Sequence, residues 1–296
     1  MRLVTFGPMG LEQPGALLDE EIVPLRDLLP DRGALLTDSD VLASLPALEE
    51  VVAAGAAGHA RVRLEDVRLG PPVRRPSKII EVGFNTWSLL RAAGTEPFSE
   101  PALYAKAPNA VTGPRDAIVR PRGIRKLDYE MELAVVIGRR CRSVSRADAL
   151  AHVAGVTVAN DVTARDMQLG EGEGGRYHRQ NYHSKSFDTF CPLGPCLVTG
   201  PDLPARLEGL TVRTFVNGEL RQEGSVGDLV WPVPDLIEFV SSGMTLEAGD
   251  ILLTGSPAGA GYLMDPPRYL AASDVVTGVV DGIGRIENGV RDEADG

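Results

Sequence analysis

The chain has 296 residues, 43% hydrophobic, 24% charged and 5% aromatic, a composition able to bury a substantial core. Its formal net charge of −11 gains nothing from phosphate neutralisation, which argues against a nucleic-acid partner. The same charge requires a local cation wherever an anionic substrate binds. No apolar run nears the ~20 residues of a membrane span, and glycine and proline break MRLVTFGPMG before a signal-peptide core forms, so a cytoplasmic protein is expected. Cys141, Cys191 and Cys196 are too few and too irregularly spaced for a disulfide framework and are read as reduced, structural thiols.

Residues 1–70 read as a small N-terminal domain, with a strand at Val4–Phe6 and a helix over Ser39–Ala57. The proline-stiffened LGPPVRRPSK (69–78) marks the boundary to a main domain spanning 71–296. From there short strands dominate: IIEVGFN (79–85), DYEMELAVVIG (128–138) and GVTVAND (155–161). Ser145 with Asp148 forms a capping-box pattern ahead of a short helix. Asn217-Gly218 signals a hairpin turn, and Pro234-Asp235 opens a helix that stops at Gly243. EAGDILLTGSPAGAG (247–261) is a strand running into a glycine-rich loop, and the tail GVRDEADG reads as frayed. The 33 glycines and 22 prolines are scattered, as many tight turns require. The fold class expected is mostly β to α+β.

Asp128, Glu130 and Glu132 stand at i, i+2 and i+4, so on a strand they share one face. Three aligned like charges must meet water or a cation. The first alternative is an exposed acidic strand edge. The second is favoured by the apolar continuation Leu133–Ile137 and by Asp161, which closes a neighbouring strand. Carboxylates from two strands make an all-oxygen site suited to a hard cation, Mg²⁺, Mn²⁺ or Ca²⁺.

Six segments carry a family resemblance: VGFN (82–85), KAPNAVTGP (106–114), KLDYEMELAVVIG (126–138), ANDVTARDMQ (159–168), KSFDTFCPLGP (185–195) and TGSPAGAG (254–261). In this order, from about Ile79 to Ile286, the chain resembles the fumarylacetoacetate hydrolase superfamily. The resemblance implies a homodimer with a mixed β-sheet rolled into a barrel-like shape around the active site. It implies a metal held by Glu130, Glu132 and Asp161, and a catalytic Lys185. It also assigns Arg165 and Gln168 to substrate polar groups, with Lys106, Asn85, Gly255 and Ser256 as further substrate contacts. The substrate implied is a small 2-oxo or 1,3-dicarbonyl acid.

One segment departs from the pattern. Hydrolytic members continue the first motif with a histidine and a glutamate that activate water; here Leu89 and Ala92 stand at those positions, and neither accepts a proton. Replacement bases are sought in Glu96 and in the loop 170–185, with Glu171, Glu173, His178 and His183. Hydrolysis of a C–C bond in an acylpyruvate- or fumarylacetoacetate-like compound leads on the family's habit. Decarboxylation, tautomerisation, cyclisation or dehydration needs an electron sink and no activated water. A ligand-binding module without turnover is the non-enzymatic alternative.

Overall fold

The computed structural model describes residues 1–28, 41–42, 45–55, 58–171 and 179–294. Its frame is a 12-stranded mixed sheet. One run of this sheet passes through Val153–Asn160, Met131–Ile137, Ile251–Leu253, Ile79–Gly83 and Ala102–Lys106. Met131–Ile137 and Val153–Asn160 are buried on both faces, as the central strands of a sandwiched sheet must be. The other end of the sheet is N-terminal: Arg2–Phe6 pairs with Cys191–Val198, followed outward by Gln13–Leu18, Glu21–Pro24 and Val62–Arg63. Leu69–Gly70 also pairs with Arg2–Phe6, so the sheet runs across residue 70 without interruption.

A 5-stranded sheet, ordered Glu219–Ser225, Thr211–Val216, Val275–Val280, Gly284–Asp292, Ile118–Arg120, packs on the first. The approach is close enough that a Cβ on Gly278 would meet the Met131 sulfur at 2.1 Å, so any side chain there would displace Met131. Asn217 (φ 52°) and Gly218 (φ 81°) form the expected tight hairpin turn.

The large sheet follows an open strand path, and the described strands do not close into a barrel. It is nevertheless strongly curled. From the strand ending at Asn160 to the Ala102–Lys106 strand is four steps, about 19 Å across a flat sheet at the usual spacing. Yet Lys106 Nζ bonds the Asp161 carboxylate directly. The curl makes a concave face, and the charged residues collect there.

Several local expectations differ in detail. The segment 128–138 is two strands, Leu127–Asp128 and Met131–Ile137, with Tyr129 and Glu130 between them. The first piece pairs with Thr163–Ala164 and the second with Val153–Asn160, and the change of partner breaks the run. After Ser145, whose hydroxyl accepts from the Asp148 amide, the chain forms only a single 3₁₀ turn, Ala149–His152. The helix read over 39–57 is described over Leu45–Gly55, the rest lying partly outside the described residues, as do the last two residues of the tail. All three cysteines are free and buried. No described helix is long and apolar enough to cross a membrane.

Candidate active site

Antiparallel register builds the site. Met131 lies opposite Asn160 and Glu132 opposite Ala159, while the Asp161 amide donates to the Glu130 carbonyl at 2.8 Å. This fixes Glu130, Glu132 and Asp161 at one end of the paired strands. Leu253, in register with Glu81 on the parallel strand beside it, leads into the glycine-rich loop. Gly255 adopts φ +101°, where a side chain would be strained and would strike Asn85, and its amide donates to Glu132 at 2.6 Å.

Glu130, Glu132 and Asp161 line a cavity of about 270 Å³ together with Glu81, Leu89, Tyr104, Arg165, Gln168, Lys185, Ser256 and Tyr262. Lys185 ends the short helix Asn181–Lys185, and its ammonium contacts Asp161, Glu81 at 3.1 Å and Glu130 at 3.4 Å. Arg165 opens the helix Arg165–Leu169 and reaches Asp128 at 2.8 Å, Glu130 at 3.0 Å and the Gln168 Oε1 at 2.6 Å. Lys106 lies beneath the cavity, its side chain fully buried, bonded to Asp161 and to the Val162 carbonyl at 3.0 Å.

The acidities follow from this crowding. Burial pushes Asp161 up, but the two lysines outweigh it and hold the carboxyl at about 2. Burial, then the charges of Asp161 and Glu130, push Glu132 well above the carboxylate range. Glu81 is raised to about 7 by burial and by Asp161, against the pull of Lys185 and Lys106. Burial would lower Lys185, but Asp161, Glu81 and Glu130 raise it well above an ordinary lysine, so it stays an ammonium.

Among the described residues, Glu81, Asp128, Glu130, Glu132 and Asp161 share this region with the buried cations Lys106, Arg165 and Lys185. The crowding that raises Glu81 and Glu132 would be relieved by a divalent cation, for which their hard oxygen donors are suited. Both Glu81 oxygens, buried and without a hydrogen-bond partner, point the same way. Among the described residues no three acidic, imidazole or thiol groups converge at ligating distance, because the Lys185 ammonium stands between Glu130 and Asp161.

The other sequence candidates fall in three groups. Ser256 lines the cavity with a buried hydroxyl that has no partner. Asn85 lies behind the wall, its amide donating to the Trp231 and Thr254 carbonyls at 3.1 and 2.8 Å, a scaffold contact. His183 is exposed and stacked on Phe187, outside the cavity lining, and Glu171 is exposed and paired with Lys126. His178 and Glu173 lie outside the described residues. Leu89 forms part of the cavity wall, held by a helix whose cap Thr86 accepts from the Leu89 amide at 3.2 Å. Ala92, on the same helix, faces solvent.

The family described as fumarylacetoacetate (FAA) hydrolase C-terminal matches residues 78–291, which include every group of this cavity. The chain belongs to the fumarylacetoacetate hydrolase family. The Bacillus subtilis oxaloacetate tautomerase YisK is 43% identical over 229 residues, covering 76% of this chain and 73% of that protein. The human mitochondrial oxaloacetate tautomerase FAHD2A is 41% identical over 219 residues, covering 74% and 68%. Among solved structures, fumarylacetoacetate hydrolase from Exiguobacterium antarcticum superposes at TM-score 0.81 with 33% identity, covering 99% of this chain and 100% of that one. Maleylpyruvate hydrolase from Sphingobium sp. SYK-6, in complex with manganese(II) and pyruvate, superposes at 0.80 with 29% identity over the same shares. Family members thus span tautomerases and hydrolases, and the chain is an enzyme of this superfamily acting on a small acid.

Proposed function

We propose that the chain catalyses keto–enol tautomerisation of a small 2-oxo diacid of the oxaloacetate type, with a divalent cation, Mg²⁺ or Mn²⁺, as cofactor. The observation that carries this reading is Leu89: an apolar side chain forms the cavity wall where hydrolytic members hold the water-activating histidine. Tautomerisation moves one proton and needs no activated water. The naming of the 43%-identical relative as an oxaloacetate tautomerase supports the same choice.

Glu130, Glu132 and Asp161 would hold the cation once Lys185 swings toward substrate. When bound, the cation supplies Lewis-acid stabilisation of an enolate oxygen. The chain's own residues do the rest. Lys185 presents an ammonium to the developing enolate oxygen, a charge preorganised on a buried side chain. Arg165, fixed by Asp128 and Gln168, offers its remaining Nη2, which has no hydrogen-bond partner, to a substrate carboxylate. The unpartnered Ser256 hydroxyl donates to a second carboxylate. Lys106 keeps Asp161 ionised from below. In this reading the protein is a cytoplasmic homodimer in which residues 1–70 buttress the catalytic unit.

Hydrolysis of an acylpyruvate-like C–C bond is the second reading, favoured by the fold's likeness to maleylpyruvate hydrolase with manganese and pyruvate. The enol absorbance of oxaloacetate separates the tautomerase from inactivity. Its decay is expected to accelerate with Mn²⁺-loaded protein and to slow at least 10²-fold in Lys185→Met. Decay at the uncatalysed rate with wild-type protein sinks the proposal.

A further inference from the structure

We propose that Glu81 is the base that carries the proton between C3 and the carbonyl oxygen of the substrate, replacing the His–Glu pair whose positions hold Leu89 and Ala92. The inference rests on the tautomerase reading and assigns that reaction its missing proton carrier.

Glu81 is 2% exposed yet lines the cavity, on the strand Ile79–Gly83. Neither of its oxygens has a hydrogen-bond partner. Lys185 at 3.1 Å and Lys106 at 3.7 Å lie within ion-pair reach but outside hydrogen-bond geometry, so they favour the charge without occupying the lone pairs. Every other carboxylate of the cavity accepts a hydrogen bond: Glu130 from Lys185 at 3.4 Å, Glu132 from the Gly255 amide, Asp161 from both lysines. Glu81 is therefore the cavity carboxylate free to accept a proton. A structural role would be served better by an apolar residue, since its strand neighbours Ile79, Ile80 and Val82 are all buried core.

The step balances within one residue. In the keto-to-enol direction a Glu81 oxygen takes the C3 proton, and the C–H electron pair forms the C2–C3 double bond. The carbonyl pair moves onto oxygen beside the Lys185 ammonium, and the proton held by Glu81 passes to that oxygen. The reverse sequence gives the ketone, and no co-reactant is consumed. The two oxygens of one carboxylate suit a 1,3 transfer, because one can face C3 while the other faces the carbonyl oxygen.

Glu81→Gln preserves shape and removes the base. With saturating Mn²⁺, kcat for oxaloacetate tautomerisation is expected to fall about 10²–10⁴-fold, with KM held within a few-fold. The rise in melting temperature on adding Mn²⁺ should persist. Enzyme-catalysed exchange of the C3 protons with D₂O should fall in step with kcat. Glu81→Asp, with its carboxylate drawn back by one methylene, should keep a measurable part of the rate, and it decides the matter alone if the glutamine variant does not fold. Variants that retain wild-type kcat within about threefold overturn the role. Wild-type protein that leaves the enol untouched overturns the tautomerase reading itself, a result visible before any variant is made.

Discussion

The Arg165 guanidinium carbon stands 4.0 Å from the centre of the Tyr262 ring, stacked on its face. Its Nε and Nη1 are bonded to Asp128 and the Gln168 side-chain oxygen, with Glu130 3.0 Å from Nη2, so the head group is fixed in position and orientation. The loop carrying Tyr262 is tied to the same point, since the Gly261 and Tyr262 amides donate to Asp128 at 2.8 and 3.2 Å.

A lysine at position 165 keeps the charge but neither stacks as a plane nor bonds a carboxylate in fork fashion. Arg165→Lys is expected to raise KM for the diacid about tenfold, equivalent to about 1.4 kcal/mol. Its melting temperature should also fall. Tyr262→Phe, which keeps the ring, should change both little. Steady-state kinetics on the two variants checks the contrast.

Lys106 neutralises Asp161 and approaches Glu81 from a site with no access to solvent. Lys106→Met leaves those carboxylates short of a cation and should cost about 3–5 kcal/mol of stability. Mn²⁺ should recover part of that loss, because an ion that binds only the folded state stabilises it by mass action. Urea unfolding with and without Mn²⁺ measures both quantities.

Asp116 supplies a pH signature far from the cavity. Burial pushes its carboxyl up, but Arg68, the Gly113 amide and the Thr112 hydroxyl outweigh it, and the group is held below its ordinary value. The bonds are 2.8 and 2.6 Å from Arg68, 2.7 Å from Gly113 and 3.0 Å from Thr112. A depressed carboxyl contributes stability that is present above its unfolded value, about 3.9, and lost as pH falls through the folded one. Asp116→Asn should therefore be less stable by about 1.5–3 kcal/mol at pH 7. The gap to wild type should close on acidification below about pH 4. Chemical denaturation at several pH values tests this directly.

Much of the site was legible because it rests on short-range pattern. Glu130, Glu132 and Asp161 all reach the cavity, although the strand that was to carry the first two is broken at Tyr129 and Glu130. Lys185 and Arg165 were placed by motif, and both enter the cavity. Glu81 was missed because one acid in IIEVG looks like the solvent side of an alternating strand, whereas this strand is buried on both faces. Lys106 comes from the strand paired with its own, but Lys185 reaches it from the helix Asn181–Lys185, far along the chain, which no local pattern encodes. The N-terminal hairpin Gln13–Leu18 with Glu21–Pro24 escaped for another reason: Pro14 and Pro24 argue against strands, and edge positions tolerate them. His183 shows the converse, a residue type suited to catalysis that lies on the outer face of its helix.

The most direct test of the account is NMR in D₂O, incubating Mg²⁺-loaded protein with oxaloacetate and, separately, with an acylpyruvate, each beside an EDTA-treated sample. Accelerated C3 deuterium exchange in oxaloacetate, abolished by EDTA, with the acylpyruvate left whole, is the result predicted. Metal-dependent cleavage of the acylpyruvate into two carboxylic acids, with no accelerated exchange in oxaloacetate, would contradict it and make the enzyme a hydrolase.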